Sequence, residues 1–286
     1  MNVFATRLAL FLLTVSYFVI NVHTFAAESP IYNTKEIKNN LDEDNSYWEL
    51  DIGFSLEFNK NYIRGINKNK SGDLNASAIL SGGYYYRDFF VEASPLIGRP
   101  FTLGYSLQRT RHFVVNIIAE SLFQGFDQSS QNHGTQLNGI NERKTSLDAG
   151  LEAYYSHRYG ETRFRALYDI SNTHNGYIMA FDHAYPLFMK RWTIWPSYGI
   201  TWLSENTTDY YFGIDQNEIT PSRPFYQPSN SFTHKLNLYI AYQYNTHFSF
   251  IGYGDYILFS SNIKNSPLVT TSNNSYRIGL GVMWSF

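Results

Sequence analysis

The chain has 286 residues, no cysteine, 22 basic against 24 acidic residues and a mean hydropathy of −0.32. That hydropathy excludes a helical membrane protein. The lack of a basic excess or run gives no footing for nucleic acid, and the lack of cysteine excludes disulfides, thiolate metal sites and N-terminal acylation. Yet 18% of residues are aromatic, with 24 Tyr and 22 Phe, as membrane β-barrels require for their interfacial girdles.

Residues 1–26 read as an export signal. A short positive segment ending at Arg7 precedes an apolar run over 8–20. At about 13 residues that run is short of the roughly 20 needed to span a bilayer. Thr24 and Ala26 suit the −3 and −1 positions, so cleavage is expected after Ala26 or Ala27. The remainder carries 21 basic and 24 acidic residues, since the signal removes only Arg7. Residues 27–46 are polar and mixed in charge, and read as a flexible periplasmic lead-in.

A barrel is predicted over 47–286. In its first strand Trp48, Leu50, Ile52, Phe54, Leu56 and Phe58 share one face, and Glu49, Asp51, Gly53, Ser55 and Glu57 share the other. Side chains alternate along a strand, so this is a wall between lipid and a wet lumen. A helix would space its apolar residues at three and four. Weaker alternation marks strands near 75–86, 88–97 and 100–108. Next, Phe113, Val115, Ile117 and Ala119 point out, with Asn116 and Glu120 in. Leu147 to Tyr155 alternate with inward Asp148 and Glu152. Phe164, Ala166, Tyr168 and Ile170 alternate with inward Arg163, Arg165 and Asp169. The tight turn at 157–161 pairs these two strands, so Asp148 and Glu152 are expected beside Arg163 and Arg165. Strands near 176–187 and 191–204 follow. Leu236, Leu238, Ile240 and Tyr242 face out opposite Lys235, Asn237 and Gln243, and another strand lies near 246–260.

The last strand is the clearest. Tyr276, Ile278, Leu280, Val282, Trp284 and Phe286 form one apolar row, with Arg277 on the lumen side. A row closing on a C-terminal Phe resembles the insertion signal of outer-membrane barrels, which implies the barrel-assembly machinery and outer-membrane lipid as partners.

The count is twelve antiparallel strands. Connectors 60–74, 96–100, 125–142, 172–176, 205–230 and 261–273 alternate with tight turns at 87–88, 109–110, 157–161, 189–190 and 245–246. Long outer loops and short periplasmic turns put both termini in the periplasm of a Gram-negative cell.

Two segments resemble the MipA/OmpV family. Residues 210–218 (Tyr-Tyr-Phe-Gly-Ile-Asp-Gln-Asn-Glu) with 223–228 (Arg-Pro-Phe-Tyr-Gln-Pro) are similar to its Tyr-Phe-Gly-Val loop. Asn265-Ser266-Pro267-Leu268-Val269 is similar to its Asp-Ser-Pro-Leu-Val segment, and Gly279 to Phe286 fit its closing strand. Departures are polar Asp215 to Thr220 in place of an alanine-rich stretch, and Tyr62-Ile63-Arg64-Gly65 without the family's serine. The resemblance implies a non-enzymatic scaffold for a lytic transglycosylase or another murein enzyme. Other members are described as adhesins or porin-like proteins.

No nucleophile elbow, phosphate loop or dinucleotide fingerprint appears, and no cofactor or metal is expected. None of His112, His133, His157, His174, His183, His234 and His247 pairs at metal-ligand spacing. His157 and His247 fall in turns, and His133 and His174 in outer loops. The inward charges, with Glu92, Asp182 and Asp255 added, allow an acidic pore favouring cations or a salt-bridged plug. Scaffold, narrow cation channel and adhesin through loops 125–142 and 205–230 all stay open on the residues alone.

Overall fold

A computed structural model describes residues 46–286, apart from 70, 133 and 271–273. The export signal, nearly all of the lead-in, and His133 lie outside the described residues. The rest is almost wholly strand: β1 (Tyr47–Lys60), β2 (Asp73–Tyr86), β3 (Phe89–Ser94), β4 (Arg99–Arg109), β5 (Phe113–Glu120), β6 (Asp148–His157), β7 (Gly160–Asp169), β8 (Tyr177–Ala184), β9 (Leu187–Met189), β10 (Trp192–Leu203), β11 (Ser231–Gln243), β12 (Phe248–Phe259) and β13 (Asn274–Ser285). Each pairs antiparallel with its neighbour, and β13 closes on β1 through Asp51↔Ser285 to Lys60↔Tyr276. No described helix is long and apolar enough to cross a membrane, so the strands do the crossing.

Thirteen segments make twelve wall positions, because β8 and β9 are one strand broken at Tyr185-Pro186. The break has a local cause. The β8–β10 register runs to Ser197↔Ala184, so Tyr185 falls opposite Pro196. Tyr185 donates to the Pro196 carbonyl at 3.0 Å, but proline has no N–H to return. On its other side β7 runs out at Gly160, and the chain re-pairs with β10 alone as β9.

The outer face carries the alternating apolar rows. Phe54, Leu56, Leu151, Leu236, Leu238, Ile278 and Leu280 are all exposed, as are Trp48, Tyr84, Trp284 and Phe286 near one end. Such a belt is stable only against lipid. A cation on it is correspondingly costly. Leu238→Arg is expected to destabilise the barrel by roughly 2–4 kcal/mol near mid-depth. Thr193→Arg, into a cavity of about 390 Å³, should cost far less. Equal shifts in the heat-induced gel mobility of the two variants would contradict this assignment of faces.

Tyr47 and Phe286 lie at the same end, which also bears the tight turns; Phe286 N–H donates to the Leu50 carbonyl at 3.0 Å. The long connectors gather at the other end.

Candidate functional site

Three features occupy the inside: a charged brace on the wall, a turn across the lumen and a cap over the long-loop end. The brace spans β5 to β8. The register sets Asn116 opposite Glu152 and Glu152 opposite Arg165, so inward side chains stack at one height. Arg163 bonds both Glu152 and Glu120, and Arg165 bonds both Glu120 and Asp182, the latter at 2.8 Å. Asn116 donates to Glu152 at 2.8 Å and Thr102 to Glu120 at 3.3 Å. Glu120, Glu152, Arg163 and Arg165 are all buried. Two guanidiniums thus bridge three carboxylates, each arginine joining two of them through separate nitrogens, and such pairing makes the buried charge tolerable.

Asp148 corrects one expectation. It does not face the arginines. It lies opposite Asp169, accepts from Ser146 at 2.8 Å and meets His174 Nε2 at 3.0 Å. Asp169 is taken up by the backbone N–H groups of Ser171, His174 and Asn175. Gly176 N–H donates to His174 Nδ1, so Nε2 carries the proton that Asp148 accepts. Thr207 Oγ1 lies 3.1 Å from Nδ1. A hydroxyl, an imidazole and a carboxylate in line suggest a catalytic relay, and Asp148, Asp169 and His174 come close enough to hold a metal ion. Thr207, His174 and Asp148 are fully enclosed, however, and every one of these polar atoms is hydrogen-bonded. The cluster bolts a helix to the rim. Spacing of histidines along the chain could not reveal it, because its partners come from four elements.

The lumen-crossing turn is Pro95–Ile97, between β3 and β4. Expected as an outer connector, it instead dips inward. Leu96 packs with Ile79, Ile251, Tyr253 and Met283, and its carbonyl accepts from Asn237 on β11 at 2.9 Å. Asn237 also donates to Asp255, which pairs with Lys235 at 3.0 Å and with Arg277 at 2.5 Å. Tyr253 links Ser55 and Glu57 at 2.8 Å each. The turn divides the lumen. Glu49 and Asp51 line the 390 Å³ cavity toward the tight-turn end. Lys235, Asp255 and Arg277 line one of about 630 Å³ toward the long loops.

The cap is built from the loops, including α1 (Glu205–Phe212) and the short α2 (Ser261–Lys264). Tyr211, Phe212, Ile214, Leu137, Ile263, Leu268, Val269 and Ile63 form one apolar cluster. Arg143 makes a two-pronged bond to Glu218 at 2.9 Å on each oxygen. Arg223 reaches the carbonyls of Gln136, Asn138 and Glu218. Ser266 donates to the Phe212 carbonyl at 2.6 Å, and Ile63 pairs with Val269. Both family-like segments therefore sit in the cap, pinned to each other.

Burial raises the Glu218 carboxyl, but Arg143 and the N–H groups of Asp215 and Asn141 outweigh it and bring it below the ordinary carboxylate range. A lowered carboxylate contributes stability above its unfolded value, lost as pH falls through the folded one. Acid should therefore loosen the cap as pH falls below the ordinary carboxylate range. Asp209, raised by burial and by Asp215, titrates with the opposite sign. Loop proteolysis of Glu218→Gln compared with the parent across this range isolates the Glu218 part; identical acid profiles would refute it.

The tight-turn end differs in charge. Its turns expose Arg87, Arg111, Arg158, Lys190 and Arg191 against Asp88.

A family profile described as MltA-interacting protein MipA matches residues 52–286. Outer membrane protein OmpV of Vibrio cholerae is 26% identical over 219 residues, covering 76% of this chain and 81% of that one. The MltA-interacting protein of Escherichia coli K12 is 28% identical over 152 residues, covering 53% and 61%. Among solved structures, Pseudomonas putida OprB aligns over 89% of this chain and 97% of its own, with 10% identity and a TM-score of 0.39.

Proposed function

Because this chain belongs to the family described as MltA-interacting protein MipA, we propose that it is a non-enzymatic outer-membrane anchor that docks a murein-cleaving enzyme at its tight-turn end. One relative is named for interacting with MltA. The observation that carries the reading to this chain is the basic ring of turns, Arg87, Arg111, Arg158, Lys190 and Arg191. It presents a surface for acidic partners, and such steering governs association rate and specificity. The obstructed lumen supports the same reading against a channel, since the brace, the crossing turn and the cap each block the path through it. In this reading the lumen charges Glu49, Asp51, Glu57, Glu120, Glu152, Arg163, Arg165, Lys235 and Arg277 are structural, and Asp148 and Asp169 anchor α1.

The test is co-purification of a lytic transglycosylase with the full chain from membranes. Reversing Arg158, Lys190 and Arg191 to Glu should abolish it while leaving the barrel folded. Undiminished capture would remove the turn end from the proposal. A cation current in planar bilayers that survives cap stabilisation would favour a channel instead.

The row Tyr276, Ile278, Leu280, Val282, Trp284 and Phe286 is assigned to assembly. Deleting Phe286 removes its bond to Leu50 and the last lipid-facing ring. The truncated chain is expected to accumulate in the periplasm or be degraded. Normal outer-membrane levels on fractionation would contradict this.

A further inference from the structure

The wall has a seam. β2 pairs with β1 along Asp73–Tyr85, but with β3 only from Gly82 to Tyr86. The nine residues from Asp73 to Ser81 thus present an edge to the β3–β4 side. Among the described residues, no backbone hydrogen bond is recorded from that edge. The hairpin that would cover it turns inward at Pro95. Gly82 marks the departure: its φ is +148°, and a Cβ there would strike the Glu49 carbonyl.

The seam lies at membrane depth. Outward Leu74 and Leu80 on β2 flank Ala76 and Ala78, and their β1 partners are Phe58, Ile52, Leu56 and Phe54. In hydrocarbon, irregular or unpaired backbone survives only where it lines a wet cavity or is covered. A cavity is there. Asp73 and Asn75 of β2 and Leu122 and Gln124 beyond β5 line the same 630 Å³ chamber, from opposite sides of the seam.

The chamber's charge selects an occupant. Lys60, Lys68, Lys235 and Arg277 line it, against Asp73 and Asp255. Asp255 is shared by Lys235 and Arg277, and Asp73 is taken up by the N–H groups of Lys68 and Asn69 and by Asn67. The balance is net positive. A second copy cannot cover the edge by strand pairing. Two barrels inserted the same way present β2 running in the same direction, and their equal tilts of roughly 40° would cross the two edges steeply.

We propose that the seam is a lateral portal through which a single-chain amphiphile with an anionic head enters from the bilayer. The head sits in the chamber near Lys60 and Lys68, and the acyl chain lies along the β2 edge between Leu74 and Leu80. Water or the head satisfies the edge groups nearest the chamber. Ala76, Ala78 and Ser77 keep the edge narrow enough for a chain to lie against it.

The test uses the full chain in lipid nanodiscs with a fatty acid carrying a mid-chain diazirine. Crosslinks should concentrate on residues 73–81 and 122–124. Dodecyl phosphate should compete, whereas inorganic phosphate should not. Lys60→Gln with Lys68→Gln, both chosen because only their backbones hold the fold, should weaken labelling at the seam by about tenfold or more. Asn75→Trp, which narrows the chamber mouth, should abolish it with the heat-modifiable gel shift intact. Labelling spread evenly around the belt, unchanged labelling in either variant, equal labelling by an uncharged single-chain probe, or displacement by inorganic phosphate would each overturn the portal.

Discussion

Glu218→Ala is expected to open the cap at a cost of about 3–5 kcal/mol, the range for stripping one partner from a buried ion pair. Arg143 is 5% exposed and Glu218 1%, so water cannot replace the lost carboxylate. The loss spreads because Glu218 also accepts from Asn141 and Asp215 N–H at 2.6 and 2.9 Å, and its carbonyl accepts from Arg223. Three loops are thereby released: 121–147, 204–230 and, through Phe212 and Ser266, 260–270. The measurement is limited proteolysis of the folded barrel, read as the appearance of cuts within those loops while the strands stay resistant. Arg143→Met with Glu218→Leu should restore much of the protection, since a buried pair replaced whole by apolar volume is often neutral or better. If the single change leaves the loops as resistant as the parent, the cap is held by its apolar cluster alone.

The distinction between wall and cap also marks what the amino-acid pattern discloses. Strand faces are local. In β1, β6, β7 and β13 each residue's side is fixed by its parity, and a single alternating row such as Ile278, Leu280, Val282 and Trp284 suffices to read it. Tight turns then fix register, so Arg165 opposite Glu152 follows from the turn at 158–159. The cap is not legible in this way. Arg143 and Glu218 are 75 residues apart, and neither stands in a periodic segment. The family-like segments 210–228 and 265–269 flag the cap's location without showing that it folds over the mouth. Asp148 misleads because parity reports only that it faces inward, not which inward neighbour it meets; the loop after β7 brings His174 to it first. The inward dip at Pro95–Ile97 follows from the offset between β2 and β3, a property of the whole barrel's stagger. The β8 break is the converse case. Pro186 and Pro196 are both visible in the sequence, but their consequence depends on the register that places Tyr185 opposite Pro196.

Arg163→Ala with Arg165→Ala should produce the largest destabilisation of the barrel itself. Among the described residues, the two guanidiniums are the cations in direct ion-pair contact with Glu120, Glu152 and, through Arg165, Asp182. Glu120 has no exposure, so its carboxylate would face two truncated side chains with only Thr102 left in the recorded network. Removing one side of a buried pair costs about 3–5 kcal/mol, and here three carboxylates lose theirs in one shared network, so the double change exceeds either single one without doubling it. The readout is the temperature at which the compact gel form is lost, which should fall sharply. The emptied space also widens the lumen beside the crossing turn, so residual ion leak in bilayers should rise. Adding Glu120→Gln to the double variant should recover part of the stability, because the cost lies in an unpaired charge rather than in lost volume. Should the double variant instead melt as the parent does and lose a cation-selective current that the parent carries, the brace is a conduction path. The docking function would then lose the support of an obstructed lumen.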